Sequence, residues 1–294
     1  HVASRARTAA AGAVTLGTAA ALYSVVEARR PHLSEVRVPI TRGPDVTVLQ
    51  VADTHLTGRH RHLGAWLARL PQQLGETPDI IVGTGDFIEE DAGIDRFLDA
   101  IAELSATVGK FYVFGSHDYY QSRFKPVSRY FSGRHEMPTV RADTVRLERG
   151  LEELGWVSLL NRDVVMPVGG HDVRLSGVDD PYLNRHRTDH VKRASADELT
   201  IGIMHTPDLV SDWALHGYDL VLSGHTHGGQ IRLPIAGALV TNCSLPASLA
   251  MGLHHVGRTW LHVSPGLGTS RYAPIRFLAR PEATLLRLST LQAN

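Results

Sequence analysis

The chain carries a single cysteine, Cys243, among 294 residues. One thiol excludes an internal disulfide and any zinc site built from cysteines. Net charge is missing too, because 30 Lys+Arg balance 30 Asp+Glu. That balance argues against a protein held on nucleic acid by bulk charge, and no nucleic-acid partner is expected. No internal repeat is visible, and the only low-complexity stretch is an Ala-rich N-terminal segment. A chain of this length holds one large domain or two small ones. It can bury a sizeable core without disulfides or a structural metal.

Histidine is what the chain has in excess, with 17. Imidazole is the commonest metal ligand among side chains and titrates near neutrality. Most surplus histidines lie on surfaces, so position has to decide which of them matter.

Thr8 to Val26 is Ala-rich, apolar and uncharged, with Arg5 and Arg7 before it and Glu27, Arg29 and Arg30 after it. Its length of about 19 residues is at the short end for a membrane span. Residues 1–30 are therefore expected to form a membrane anchor or signal-like segment, with a packed amphipathic helix and a disordered tail as alternatives. Arginine on both sides leaves the orientation, and so the side of the membrane, open. Residues 31–45 read as a linker and 46–294 as the main domain.

Within that domain, short apolar runs alternate with helical patterns. Val46–Val51, Ile80–Val82, Phe111–Phe114, Leu199–Met204 and Leu220–Leu222 are continuous runs, as expected for strands buried on both faces. Arg61–Leu74 has helical spacing, and Ile94, Phe97, Leu98, Ile101 and Leu104 fall on one helical face. Val164–Val168 and Val173–Ser176, split by Gly169-Gly170, read as a hairpin. Trp260–Val263 and Thr284–Leu288 suggest a second, more antiparallel sheet. Residues 119–150 interrupt the pattern with a basic, aromatic insertion: Arg123, Lys125, Arg129, Arg134, Arg141 and Arg146 among Tyr119, Tyr120, Phe124, Tyr130 and Phe131. It is either a solvated surface loop or a lid facing an anionic substrate or bilayer.

Five segments place Asp or His directly after an apolar run. They are Asp53-Thr54-His55, Gly85-Asp86, Gly115-Ser116-His117-Asp118, His205 and Gly224-His225-Thr226-His227. Sites in open α/β sheets form at the carboxyl ends of strands, so such segments converge if the strands are parallel. Each segment alone is a weak signal, and their joint occurrence in one chain is not. Mixed carboxylate and imidazole donors suit Mn, Fe, Zn or Ni better than Ca or Mg. The set is too large for one tetrahedral ion and suits two divalent ions sharing a carboxylate, the arrangement that hydrolyses phosphate esters.

The order Asp53-x-His55, Gly85-Asp86, Gly115-Ser116-His117-Asp118, His205 and Gly224-His225-x-His227 resembles the calcineurin-like metallophosphoesterase family. The following Gly228-Gly229-Gln230 and the apolar N-terminal segment are similar to its bacterial membrane-associated branch. The resemblance implies an αββα sandwich of two sheets in residues 46–294. It implies that Asp53, His55 and His227 hold a first metal, that His205 and His225 hold a second, and that Asp86 bridges them. His117 would be the general acid, oriented by Asp118. The family usually has Asn where this chain has Ser116. A neutral hydroxyl is a poorer ligand than an amide oxygen, so the second metal is expected to be held less well.

Tyr119 and Tyr120 follow the catalytic loop and are candidates for substrate contact. Asp179 reads as a cleft-shaping residue or an ordinary turn. The sequence thus points to a hydrolase acting on a phosphomonoester, phosphodiester or pyrophosphate, with a small-molecule or lipid-linked substrate and membrane association through the N-terminal segment. A soluble nucleotide or phosphoprotein phosphatase and a catalytically weak metal-binding scaffold are the alternatives.

Overall fold

A computed structural model of the chain describes residues 15, 17–122, 139–235 and 237–290. The strands in chain order are β1 (His32–Ile40), β2 (Val46–Val51), β3 (Ile80–Gly83), β4 (Gly109–Tyr112), β5 (Trp156–Ser158), β6 (Arg162–Val168), β7 (His171–Gly177), β8 (Glu198–Ile203) and β9 (Leu220–Ser223). They continue with β10 (Arg232–Leu233), β11 (Gly237–Ala238), β12 (Gly252–Val256), β13 (Thr259–Val263) and β14 (Glu282–Thr290). The first six-stranded sheet has the order β1-β14-β2-β3-β4-β5, and the second has β12-β13-β9-β8-β7-β6. β2 to β5 run parallel to one another, as do β7, β8, β9 and β13.

Continuous apolar runs give these central strands two buried faces, and successive side chains point opposite ways. Val48, Ile80 and Val82 face Ile201, Ile203, Leu220 and Leu222 between the sheets. Leu49, Val51 and Ile81 turn the other way, onto Leu67, Phe97, Ile101, Leu147 and Leu151. Those last residues belong to helices α2 (Arg61–Leu67), which α3 (Leu70–Leu74) follows, α4 (Ile94–Ile101) and α6 (Thr144–Glu153). Behind the second sheet, Val221, Leu261 and Val263 pack on Val210 and Trp213 of α7 (Val210–Leu215). The order of layers is helix, sheet, sheet, helix, as the resemblance implied. Each fully buried Val, Leu, Ile or Phe contributes roughly 1.5–3 kcal/mol.

The hairpin joins Val168 to His171 through Gly169 and Gly170 with φ of 57° and 82°, the pair of positive values that a type I′ turn requires. Other expectations give way. Residues 31–45 contain β1, which pairs parallel to β14 from His32↔Glu282 to Ile40↔Thr290, so they are not simply a linker. β1 lies at the sheet edge, where Pro39 is tolerated. β14 does not join the second sheet but inserts in the first, between β1 and β2. β13 does join the second, parallel to β9. Apolar patterning announces a strand and does not name its neighbour.

Of the basic, aromatic insertion, residues 123–138 fall outside the described residues. Its ends rejoin: Tyr120 bridges to Arg141, and Gln121 N–H donates to Val140 O at 2.9 Å. At the N-terminus, residues 17–27 form helix α1, whose last turn docks on the domain. Ser24 O accepts from Arg276 N–H at 2.9 Å. The Glu27 carboxylate accepts from Leu278 and Ala279 N–H at 3.0 and 2.8 Å, and the Tyr23 ring meets Phe277 edge-on. Among the described residues no helix is long and apolar enough to cross a membrane.

His262 on β13 ties the two sheets together. Its Nδ1–H donates to Gln50 Oε1 at 2.7 Å, and Gln50 Nε2 donates to Ser223 O at 2.9 Å. Burial pushes His262 down to about 3, so the folded protein keeps it neutral where an unfolded chain, near pH 6.5, takes up a proton. Its folded pKa lies below the unfolded one, so stability is lost as pH falls through the unfolded value. The metal-free protein is expected to lose about 2 kcal/mol more between pH 7 and pH 5 than a His262→Gln variant does. Urea unfolding at both pH values measures this, and equal losses would contradict it.

Candidate metal centre

The parallel strands deliver their carboxyl ends to one edge of the sandwich, and backbone hydrogen bonds knit the following loops. Asp53 N–H donates to Gly85 O at 2.9 Å, His55 N–H to Asp86 O at 3.0 Å, and Gly224 N–H to His205 O at 3.0 Å. Five of the expected ligands sit in the left-handed region: Asp53 (φ 48°), His55 (43°), Asp86 (53°), His225 (71°) and His227 (51°). Such φ values are uncommon in residues with a Cβ and cluster at functional sites. Gly115 allows a close approach. A Cβ there would lie 2.3 Å from Asp86 Oδ1 and 2.6 Å from His205 Nε2.

The expected ligands fall into two donor clusters, Asp53, His55 and His227 in one and Asp86, His205 and His225 in the other, and His55 also clusters with Glu89 and His117. His55 Nε2 and His227 Nε2 are 3.0 Å apart, and His227 Nε2 is 3.8 Å from Asp53 Oδ1. His225 Nδ1 is 3.3 Å from His205 Nε2. Asp86 Oδ2 stands between the clusters, 3.6 Å from His55 Nε2 and 3.2 Å from His205 Nε2. All but His225 and His227 are buried.

Three imidazoles are oriented by an acceptor on the ring nitrogen away from the cluster. His55 Nδ1–H donates to Glu89 Oε2 at 2.7 Å, His205 Nδ1–H to Thr84 O at 2.8 Å, and His225 Nε2–H to Asn242 O at 3.1 Å. Each leaves a lone pair aimed into the cluster, as metal-ligating histidines do. His227 differs, because its Nδ1 faces the Arg276 guanidinium at 3.1 Å. The donor chemistry and this orientation fit divalent cations.

Electrostatics point the same way. Burial pushes Asp53 up. For Asp86 burial acts in that direction too, but the charges of His205 and His117 hold it well below the carboxylate range. Burial would depress His55, yet its bond to Glu89 and nearby carboxylates raise it to about 9. Burial and the neighbouring His205 push His225 down to about 4. Desolvated groups of both signs are thus crowded together, and a cation among the carboxylates relieves that cost.

His117 and Ser116 lie on the short helix α5 (Ser116–Tyr119). His117 N–H donates to Asp86 Oδ1 at 2.8 Å, and its ring stands 4.8 Å from that of His55. The His117 Nδ1 is hydrogen-bonded to Ser122 Oγ at 2.9 Å and lies 3.7 Å from Glu89 Oε2. Asp118 does not orient it. The Asp118 carboxylate accepts from the backbone N–H of Gly115, Asp86 and Phe87 at 2.8–2.9 Å. Adjacent helical residues diverge by about 100°, so Asp118 braces the loops from beneath while His117 faces the cleft side. Ser116 is buried. Tyr119 is committed elsewhere: its hydroxyl donates to Asp179 Oδ1 at 2.7 Å and its ring lies under the Arg185 guanidinium. Tyr120 lies in the bridge to Arg141.

Glu89 escapes sequence reasoning because Glu89-Glu90 looks like a solvated pair. It is fully buried and also accepts from Ser270 Oγ and Arg271 N–H. Burial would raise it, but its bond to His55 and the His55 charge hold it at about 2. Its spacing, three residues after Asp86, was the available signal. Glu89→Ala is expected to weaken metal binding about 10–100-fold by freeing the His55 ring. A chelator-competition titration reads this, and unchanged affinity would rule it out.

The comparisons with known proteins agree with this geometry. A model of the calcineurin-like phosphoesterase family matches residues 46–229. The metallophosphoesterase YkoQ of Bacillus subtilis is 29% identical over 248 residues, 81% of this chain and 82% of that protein. The phosphodiesterase YaeI of Escherichia coli is 27% identical over 243 residues, covering 82% and 81%. A transmembrane protein with a metallophosphoesterase domain from Bos taurus is 30% identical over 288 residues, 89% of this chain and 58% of that one. The chain belongs to the calcineurin-like phosphoesterase family and is a metal-dependent hydrolase of phosphate esters.

Proposed function

We propose that the site holds two divalent ions and hydrolyses a phosphodiester, with a lipid-linked phosphate as the substrate class. The observation that carries the dinuclear reading is the position of Asp86 Oδ2 between the clusters, 3.6 Å from His55 and 3.2 Å from His205. Asp53, His55 and His227 would hold the first ion, His205 and His225 the second, and Asp86 would be shared between them. Mixed nitrogen and oxygen donors favour Mn, Fe, Zn or Ni. Bound there, the ions supply positive charge to the phosphate oxygens and activate water.

The chain's own contribution is placement and proton transfer. His117, held at Nδ1 by Ser122, presents Nε2 as its uncommitted nitrogen for the leaving oxygen. Surrounding protein lowers its pKa against the pull of Asp86 and Glu89. A phosphate anion beside the ring favours the protonated, donating form. The name of YaeI supports a diester.

The lipid reading is supported by an apolar face beside the metal loop. Leu22 and Val26 of α1, Leu233 and Ile235 of the β10–β11 ribbon, Leu239 and Leu278 are all exposed. The parts are continuous, since Ile231 bridges to Phe277 and Phe277 meets Tyr23. Arg29, Arg30 and Arg280 flank them in exposed positions. Such a face suits association with a bilayer surface, and the membrane-spanning Bos taurus relative fits that setting.

Chelator-stripped protein reloaded with Mn²⁺ is expected to cleave an aryl phosphodiester faster than the monoester. His117→Ala should retain both metals and lose about 10²–10⁴-fold in turnover. Phosphate presented on anionic vesicles should be cleaved in preference to soluble nucleotides, and serine at positions 233, 235 and 239 should abolish that preference. Better turnover of soluble nucleotides or phosphoproteins would sink the lipid reading. Metals bound without turnover of any substrate would mean a scaffold. Ser116→Asn is expected to tighten the second ion by roughly 10-fold, a typical effect of an improved metal shell, in the same metal titration; identical isotherms would refute the idea that Ser116 weakens it.

A further inference from the structure

Arg276 is a fully buried cation, among the largest fully buried side chains of the described residues. Burying a charge is costly unless it is paired, yet its partners are backbone carbonyls and one imidazole. Nη1 donates to Pro265 O at 2.7 Å and to Ala279 O at 3.0 Å, and Nε and Nη2 both donate to Gly268 O. The remaining Nη2 contact is His227 Nδ1 at 3.1 Å.

The loop that Arg276 grips is the one pressed on Asp53. Gly268 N–H donates to Asp53 O at 2.6 Å, and Leu267 N–H to Ala52 O at 3.0 Å. A Cβ on Gly266 would lie 2.5 Å from Asp53 Cβ, so the loop touches the ligand's side chain directly. One guanidinium therefore braces Asp53 through the loop and His227 by contact. Its own backbone is tied to α1, through Ser24 O on Arg276 N–H and the Glu27 carboxylate on the next two N–H groups but one.

We propose that Arg276 is a positioning residue for the first metal position, holding Asp53 and His227 in register from behind. The inference rests on Asp53, His55 and His227 being the ligands of that ion. A neutral His227 that ligates through Nε2 carries its proton on Nδ1, so the Arg276 contact there is packing and not a hydrogen bond, and charge alone would weaken binding. Placement wins because one planar group with five donors holds three carbonyls at once, with the His227 ring packed against it. Lysine keeps the charge and cannot span those three carbonyls.

The test titrates metal-free parent, Arg276→Lys, Arg276→Ala and His227→Ala with Co²⁺. Bound metal is read by equilibrium dialysis and the visible cobalt spectrum, and the metal-free thermal midpoint is recorded for each. Arg276→Lys is expected to bind one equivalent about 10-fold or more weakly, with the other unchanged. Guanidinium ion added to Arg276→Ala is expected to restore part of that equivalent's affinity and spectrum. Parent-like or tighter binding by Arg276→Lys overturns the proposal. Equal weakening of both equivalents together with loss of the metal-free fold, in both Arg276 variants, also overturns it, since the brace would then be structural alone. Parent-like binding of both equivalents by His227→Ala would instead remove the ligand reading beneath it.

Discussion

Asp86 lies in the loop after β3 of the first sheet, yet its Oδ2 faces His205 from the second sheet at 3.2 Å and His55 from its own at 3.6 Å. Its other oxygen takes the N–H of His117. Three separate loops are therefore indexed to one buried carboxylate. The arrangement works only while the sheets keep their registers, because a one-residue slip of a strand would turn these side chains to the other face. The packed interior, with Val48, Ile80 and Val82 against Ile201 and Leu222, is what holds the registers. The core thus acts on the site through distance.

Holding like and unlike charges so close has a cost in stability. Left-handed φ at Asp53, His55, Asp86, His225 and His227 adds backbone strain, typically about 1–3 kcal/mol per residue. A second layer offsets these costs. Asp118 collects three backbone N–H groups under the Asp86 and Gly115 loops. Glu89 fixes the His55 ring, and Arg276 gathers the carbonyls of the loop behind Asp53. Each of these residues sets where a donor atom stands.

The face outside this layer is continuous with it. The β10–β11 ribbon follows directly on the metal loop, and the segment carrying Arg276 passes beneath α1. Apolar side chains exposed on α1, the ribbon and Leu278 therefore lie on elements joined to the backbone around His227 and Arg276. Whatever meets that face meets it within reach of the first cluster's supports.

Much of the site was legible because it is written locally. An Asp or His placed directly after a continuous apolar run lies at a strand end by chain geometry alone, so the convergence of Asp53, His55, Asp86, His205, His225 and His227, with His117 beside them, was legible in the sequence. The layering came with the family resemblance, and patterning agrees with it, since runs buried on both faces need cover on both. Pairing was not local. β1 looked like a linker, and β14 looked like part of the second sheet, because a strand's neighbour depends on contacts with residues about 250 positions away, such as His32 with Glu282. The support layer was not local either. Whether Asp118 or Glu89 faces His117 depends on the rotation of a four-residue helix, and a buried Arg276 reads in sequence like any surface arginine. The sequence determined the donors. Only the tertiary structure decided which charges brace them, because burial and long-range pairing set the direction of every supporting side chain.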